Sequence, residues 1–317
     1  MRTIPIISRA VRQALTSVAT VALLAGFHAA SAQAPRSPAK TAASDWSSVD
    51  AALGRKGAAQ LGDVMKYSFP RSDLQVTAGG VQLKPALALG SWLAFKKIGG
   101  GHSMVMGDLV LTEDEIQPVM LALQKGGVEQ TALHNHVLHE SPHVMYMHVS
   151  AHGDAVKIAE AVRSALATSH TPLGTPGAPT APSAADLDTA AVAHALGVSG
   201  KLNGVVYQVS IPRRETIREG KVEIPSSMGV ATAINFQPTG GGKAAVTGDF
   251  VMRGTEVNRV IRALQQGGVE VSALHSHMLT EEPRLLFMHF WANDDAVKLA
   301  GVLSQALSQT NSMVAKR

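Results

Sequence analysis

The chain repeats itself, and that constrains its fold more than any other feature. The stretch GGVEQTALHNHVLHESPHVMYMHVSAHGDAVKIA, starting at Gly126, returns at Gly267 as GGVEVSALHSHMLTEEPRLLFMHFWANDDAVKLA, displaced by 141 residues with no gap. The same displacement carries Gly107-Asp108 onto Gly248-Asp249 and the glycine triplet at Gly99 onto that at Gly240. Further upstream FPR (Phe69 to Arg71) meets IPR (Ile211 to Arg213) after a slip of one residue. Self-similarity at a fixed period means that one supersecondary unit is built twice. The first repeat runs over residues 44–168 and the second over 185–309. Between them SHTPLGTPGAPTAPSA (169–184) is rich in Pro, Gly and Ala, a composition that predicts an extended, exposed linker.

Within each repeat the pattern alternates strands and capped helices. A short helix near Val49 to Leu53 ends at Gly54, and strand-like runs follow at Val64 to Phe69 and Leu74 to Val76. SWLAFKKI and SMVMGDLVL flank the first glycine triplet as a hairpin. Thr112 with Glu115 forms a capping box for a helix closed by Gly126-Gly127, and Asp154 caps a last helix after two more strands. Strands joined by short turns pair antiparallel. The reading is α+β: a tandem duplication in which each half is an antiparallel sheet with helices packed on one face.

The most concentrated chemistry lies at ALHNHVLHESPHVMYMHVSAHGD, which holds six of the 13 histidines. Side chains alternate faces along a strand. His134 and His136 therefore share a face, as do Tyr146 and His148. A hairpin centred on Ser141 would set His134 opposite His148 and His136 opposite Tyr146, with opposed Cβ atoms about 5 Å apart. Glu140 lies four residues past His136, within reach as a further ligand or as a base beside metal-bound water. The second copy keeps His275, His277, Glu281 and His289, but replaces His139, His143 and His152 by Thr280, Arg284 and Asn293. The set His134, His136, Glu140, His148 and its counterpart His275, His277, Glu281, His289 is thus singled out as one metal site per repeat. Imidazole with carboxylate suits a divalent transition metal such as Zn, Cu, Fe or Ni. A proton-transfer or anion-binding cluster and a purely structural hydrogen-bonded set are the alternatives. The apolar face of the hairpin should pack on the helices, which leaves the histidine face toward a cleft between the repeats, where a metal ion or small ligand would sit.

Other residues carry weaker signals. Arg71 and Arg213 follow the proline of FPR and IPR and are candidates to grip an anion, or else surface residues ending a strand. Asp108 and Asp249 either line the cleft or shape a turn, and Glu115 and Glu256 cap their helices. The glycine triplets are followed by no Lys-Ser/Thr, which excludes a phosphate loop. With a net charge of +4 and no basic stripe interleaved with aromatics, nucleic acid is not an expected partner.

The first residues follow their own pattern. Arg2, Arg9 and Arg12 precede the apolar run from Ala14 to Phe27 and the small-x-small triplet Ala30, Ser31, Ala32, which together predict a signal peptide over residues 1–32. No stable membrane span is expected after its removal, and the product is expected in the periplasm or secreted. The absence of cysteine excludes thiolate ligands and disulfides.

FPRSDLQV, MVMGDLVLTEDEIQPVMLAL and TALHNHVLHESPHVMYMH resemble the bacterial LppY/LpqO envelope-protein family, built around a domain of unknown function. The resemblance covers nearly the whole mature chain, twice. It implies an envelope location but no activity, and the lipid-modified cysteine of many members has no counterpart here. Three functions stay open: an exported protein that binds or buffers metal or a small ligand, a metal-dependent hydrolase or oxygenase with Glu140 or Glu281 as base, and a non-catalytic cell-envelope binding module.

Overall fold

The computed structural model describes residues 45–174 and 186–314, so the signal peptide expected at 1–32 and most of the expected linker lie outside the described residues. The first repeat begins with α1 (Ser47–Leu53), whose end is set by Gly54 in the left-handed conformation at φ 69°. Then come β1 (Ala58–Gln60), β2 (Val64–Pro70), β3 (Thr77–Ala78), β4 (Val81–Gln82), β5 (Gly90–Gly99), β6 (His102–Thr112), α2 (Glu113–Lys125), β7 (Glu129–His134), β8 (Glu140–Ser141), β9 (Val144–Gly153) and α3 (Ala155–Leu166). The second repeats the order with α4 (Thr189–Leu196), β10 (Lys201–Asn203), β11 (Val206–Pro212), β12 (Ile217–Glu219), β13 (Val222–Ile224), β14 (Ala231–Gly240), β15 (Lys243–Met252), α5 (Val257–Gln266), β16 (Glu270–His275), β17 (Glu281–Glu282), β18 (Leu286–Asp295) and α6 (Ala296–Leu307). The run Leu74 to Val76, expected as a strand, instead leads into the short β3.

Each half is a six-stranded antiparallel sheet, ordered β1-β2-β5-β6-β9-β7 in the first and β10-β11-β14-β15-β18-β16 in the second. The strand period divides each sheet into two faces. On β6 and β9 the residues Val105, Leu109, Leu111, Met147 and Val149 join Leu53, Val119, Leu123 and Val162 of the helices in one core. Phe250, Met252, Met288 and Phe290 do the same with α4, α5 and α6. The α+β duplication with helices on one face of each sheet is therefore what the chain adopts.

The opposite faces meet each other. Met104 and Met106 pack with Val251, Met278 and Phe287 of the other repeat, and Val110 and Tyr146 pack in a cluster that includes Val206, Ala245 and Trp291. The order of layers is helices, sheet, sheet, helices. Polar side chains also stitch the seam. Gln237 spans it with Nε2 donating to Gln82 O and Oε1 accepting from Lys84 N. At the bulges of β7 and β16 the exchange is reciprocal: Thr131 donates to the carbonyl of His277, and Ser272 to that of His136. Thr131 and Ser272 are equivalent positions, so the two repeats are related by an approximate two-fold axis.

The two arginines considered for anion binding are spent inside the fold. Arg71 is 1% exposed and gives its donors to Asp73 (2.8 Å), Glu115 (2.7 Å) and the carbonyl of Val110 (2.7 Å). Arg213 repeats this with Glu215, Glu256 and Val251 O. No N–H is left to hold a ligand, and neither arginine is a surface residue; the sequence alone did not show the acidic partners. Glu115 also accepts from the backbone of Thr112 (2.9 Å) and His170 (2.7 Å), so the residues just after α3 are strapped to the repeat. Thr171 is buried, and the carbonyls of Pro172 and Gly174 accept from Arg55. Residues 169–174 thus form a packed strap rather than part of an exposed linker. Among the described residues no helix is long and apolar enough to cross a membrane.

Candidate metal centre between the repeats

The histidines stand on the seam. The face of β9 that turns from the helices carries Tyr146 and His148, and that of β6 carries Met104, Met106, Asp108 and Val110. Asp108 pairs in register with His148, and His134 of β7 with Tyr146. The hairpin is therefore shifted from the expected register: His148 stands opposite Ala132, and His136 lies beyond the end of β7. Facing was read correctly from the alternation, but the loop after His134 closes one position earlier than Ser141, and the bulge at Thr131 alters only the pairs farther from the loop. Equivalent pairings put Asp249 beside His289 and His275 beside Phe287.

The glycine before each aspartate has a structural reason. A Cβ on Gly107 would come 2.7 Å from the carbonyl oxygen of Trp92, and one on Gly248 would collide with the carbonyl of Ala233. The close approach turns Gly248 O toward His289, whose Nδ1 donates to it at 2.7 Å. Asp108 and Asp249 are thus interior strand residues facing the histidines, not turn formers. The signal was present in the sequence: each is a lone carboxylate within a largely apolar strand run.

Across the seam the rings of the two repeats meet. His134 and His275 stack with centroids 3.5 Å apart, His136 and His289 lie at 3.8 Å, and His148 and His277 at 3.8 Å. These six imidazoles form one group, not two separated ones. His134, His148, His277 and His289 are between 3% and 7% exposed. Four Nδ1 atoms donate to backbone carbonyls: His134 to Asn135 (3.1 Å), His275 to Ser276 (3.3 Å), His277 to Gly229 (3.1 Å) and His289 to Gly248 (2.7 Å). A proton fixed on Nδ1 leaves the Nε2 lone pair free. All six Nε2 atoms are buried without a hydrogen-bond partner. The nearest carboxylates are Asp108 Oδ2, 3.7 Å from His136 Nε2, and Asp249 Oδ2, 3.0 Å from His277 Nε2.

Donor atoms within 4.8 Å of one another form three triads: His134, His148 and His275; His134, His136 and His289; Asp249, His275 and His277. Two of them mix the repeats. Among the described residues no such set joins His134, His136 and His148 alone, whereas Asp249, His275 and His277 all belong to the second repeat.

Glu140 and Glu281 stand outside these triads. Glu140 accepts from the backbone N–H of Val144 (3.2 Å), and Glu281 from Leu285 N (2.8 Å) and Arg284 (3.1 Å). Both carboxylates close their own hairpin loops. A carboxylate four residues past a strand histidine falls in the turn, where backbone donors claim it first.

Burial sets the protonation of the centre. It brings the His134 imidazole down to about 3 and that of His275 to about 2, in each case with neighbouring imidazoles opposing a further proton. His136 and His148 are held well below 6.5 for the same reasons. Burial raises Asp108 to about 7, while Asp249, despite its burial, is held below the carboxylate range by His289 and His277. Tyr146, stacked on His136 at 3.2 Å, has a buried hydroxyl without a partner; Phe287 stacks on His277 at 3.5 Å in the other half.

The model of the family described as Domain of Unknown Function (DUF1259) matches residues 47–168 and again 190–309. The chain belongs to that family. The two DUF1259 copies coincide with the two sheets, so the histidine cluster lies where one copy meets the other. No curated protein sequence matches the chain. Among solved structures, a trimeric bacterial microcompartment shell protein, PduB, is similar at 14% identity, covering 82% of this chain and 96% of that one with a TM-score of 0.21. EtuB from Clostridium kluyveri is similar at 12% identity, covering 80% and 91% with a TM-score of 0.22. Overlap that slight carries no argument about this DUF1259 chain.

Proposed function

We propose that the protein binds divalent transition metal, of the Zn, Cu, Fe or Ni class, in a centre enclosed between its two repeats. The observation that carries this reading is the set of six buried Nε2 atoms without hydrogen-bond partners. Leaving a buried polar group unsatisfied costs about 1–3 kcal/mol, so six together are of order 10 kcal/mol, comparable to the whole stability of an ordinary domain. A fold does not keep such a set without a partner, and neutral imidazoles with Nδ1 anchored to carbonyls are prepared for a metal cation. An anion-binding role is disfavoured, because burial opposes the charged form of His134, His136, His148, His275 and His289. The hydrolase or oxygenase reading is less favoured, since Glu140 and Glu281 each hold a backbone N–H of their own loop and stand outside the donor triads.

Holding metal, rather than turning over a substrate, is the function this geometry supports best. Export to the periplasm or beyond belongs to the same proposal, supported by the arginine-rich, apolar leader pattern of residues 1–32. The test is elemental analysis of the purified mature protein beside the His134→Ala/His275→Ala double variant. Stoichiometric metal in the first and loss in the second is expected; equal content in both would reject the proposal.

A further inference from the structure

We infer that the centre is binuclear, with two like cations related by the approximate two-fold axis and each held by histidines of both repeats. One ion takes His134, His136 and His289; its counterpart takes His275, His277 and His148. Asp108 and Asp249 supply the carboxylate oxygens. This rests on the metal-binding reading above and adds the number of ions and the division of the ligands.

Donor arithmetic argues for two ions. The centre offers six imidazoles and two carboxylates, and borderline divalent metals such as Zn take about four ligands in closed sites. Eight donors divide evenly into two sets of three nitrogens and one oxygen. The donors also gather only in threes: no group of four or more among the described residues lies within 4.8 Å. One ion in any triad would leave at least three imidazoles buried with Nε2 unpaired, whereas two ions engage all six.

Symmetry points the same way. The repeats exchange equivalent contacts across the seam, through Thr131 to His277 O and Ser272 to His136 O. The triad His134, His136 and His289 lies off the axis, so the same backbone builds its counterpart from His275, His277 and His148. Parts of that second set are already close: His148 and His277 rings lie 3.8 Å apart, and Asp249 groups with His275 and His277. Two carboxylates beside the two positions offset part of the charge that a pair of cations brings into a buried site.

The test uses the full mature chain, stripped of metal and titrated with Co(II), whose visible absorption reports tetrahedral coordination, with Zn(II) content measured after gel filtration as a second count. Two equivalents per wild-type chain are expected. His136→Ala and His277→Ala should each retain one, and the double variant none. A single ion in the axial triad of His134, His148 and His275 would give one equivalent in the wild type and no change in His136→Ala; that result overturns the binuclear assignment while leaving metal binding standing. No equivalents in the wild type would overturn both. Loading with Cu(II) gives an independent readout that needs no variant. Two ions held by rings that stack across the seam at 3.5–3.8 Å should give a spin-coupled resonance, and two isolated signals would place them elsewhere and overturn the assignment.

Discussion

At the level of single residues, the side chains nearest the histidines have separable roles. Glu140 binds its loop at Val144 N, so Glu140→Gln should leave metal content unchanged in elemental analysis, while a metal ligand at that position would show a loss. Tyr146 presents a buried hydroxyl without a partner where the other copy has Phe287. Tyr146→Phe should therefore keep the metal and match or exceed the wild type in thermal unfolding, by up to about 1 kcal/mol, since removing an unsatisfied buried polar group is neutral or favourable. Much of this centre was legible in the sequence. Alternation placed His134 and His148 on one face, and comparison of the copies set aside His139, His143 and His152. The meeting of His136 with His289 was not legible, because no local pattern encodes which surfaces of two repeats will face each other. Asp108 stayed ambiguous for a different reason: a Gly-Asp pair is most often a turn, and only its place in a buried strand facing the other repeat decides for the cleft.

Among the structural elements, the arginine latch fixes the order in which strands and helices dock. Arg71 at the end of β2 reaches Glu115 in the first turn of α2, and Glu115 in turn holds the N-terminus of that helix and the strap at His170. The ion pair is buried, so Arg71→Ala strands a carboxylate in the interior. A loss of roughly 3–5 kcal/mol is expected in urea unfolding, and Arg213→Ala should behave alike through Glu256. The sequence announced the capping box at Thr112 and Glu115 because its signal spans four residues. It could not announce the arginine, which arrives from another strand. The same limit explains the hairpin register: His134 pairs with Tyr146 because of where the loop after it closes, which the strand period does not encode.

For the molecule as a whole, acidity works against the seam. The centre keeps imidazoles neutral at pH values where an unfolded chain would protonate them: His134 titrates near 3 in the fold against an ordinary value of 6.5. Between those values the unfolded chain binds more protons, so stability falls as pH drops and is fully present above about 6.5. For the metal-free chain, urea unfolding at pH 5 should show a loss of about 2 kcal/mol per such ring relative to pH 7.5. A pH-independent midpoint would show that these rings are not held neutral. Duplication, sheet architecture and helix caps could all be foreseen from the repeat and its strand and helix periods, and the histidine face was expected toward the other repeat; which side chains of the two sheets meet there could not be read.

Because each cross-repeat triad draws on both copies, neither copy is a spare. Gene duplication usually frees one twin to drift, yet here an imidazole lost from either would open a site whose remaining ligands come from both. A one-copy ancestor built to this plan would have had to find a second molecule to become whole, at the mercy of its own abundance. Joining the pair on one chain removed that dependence and, at the same stroke, bound the twins to a common fate.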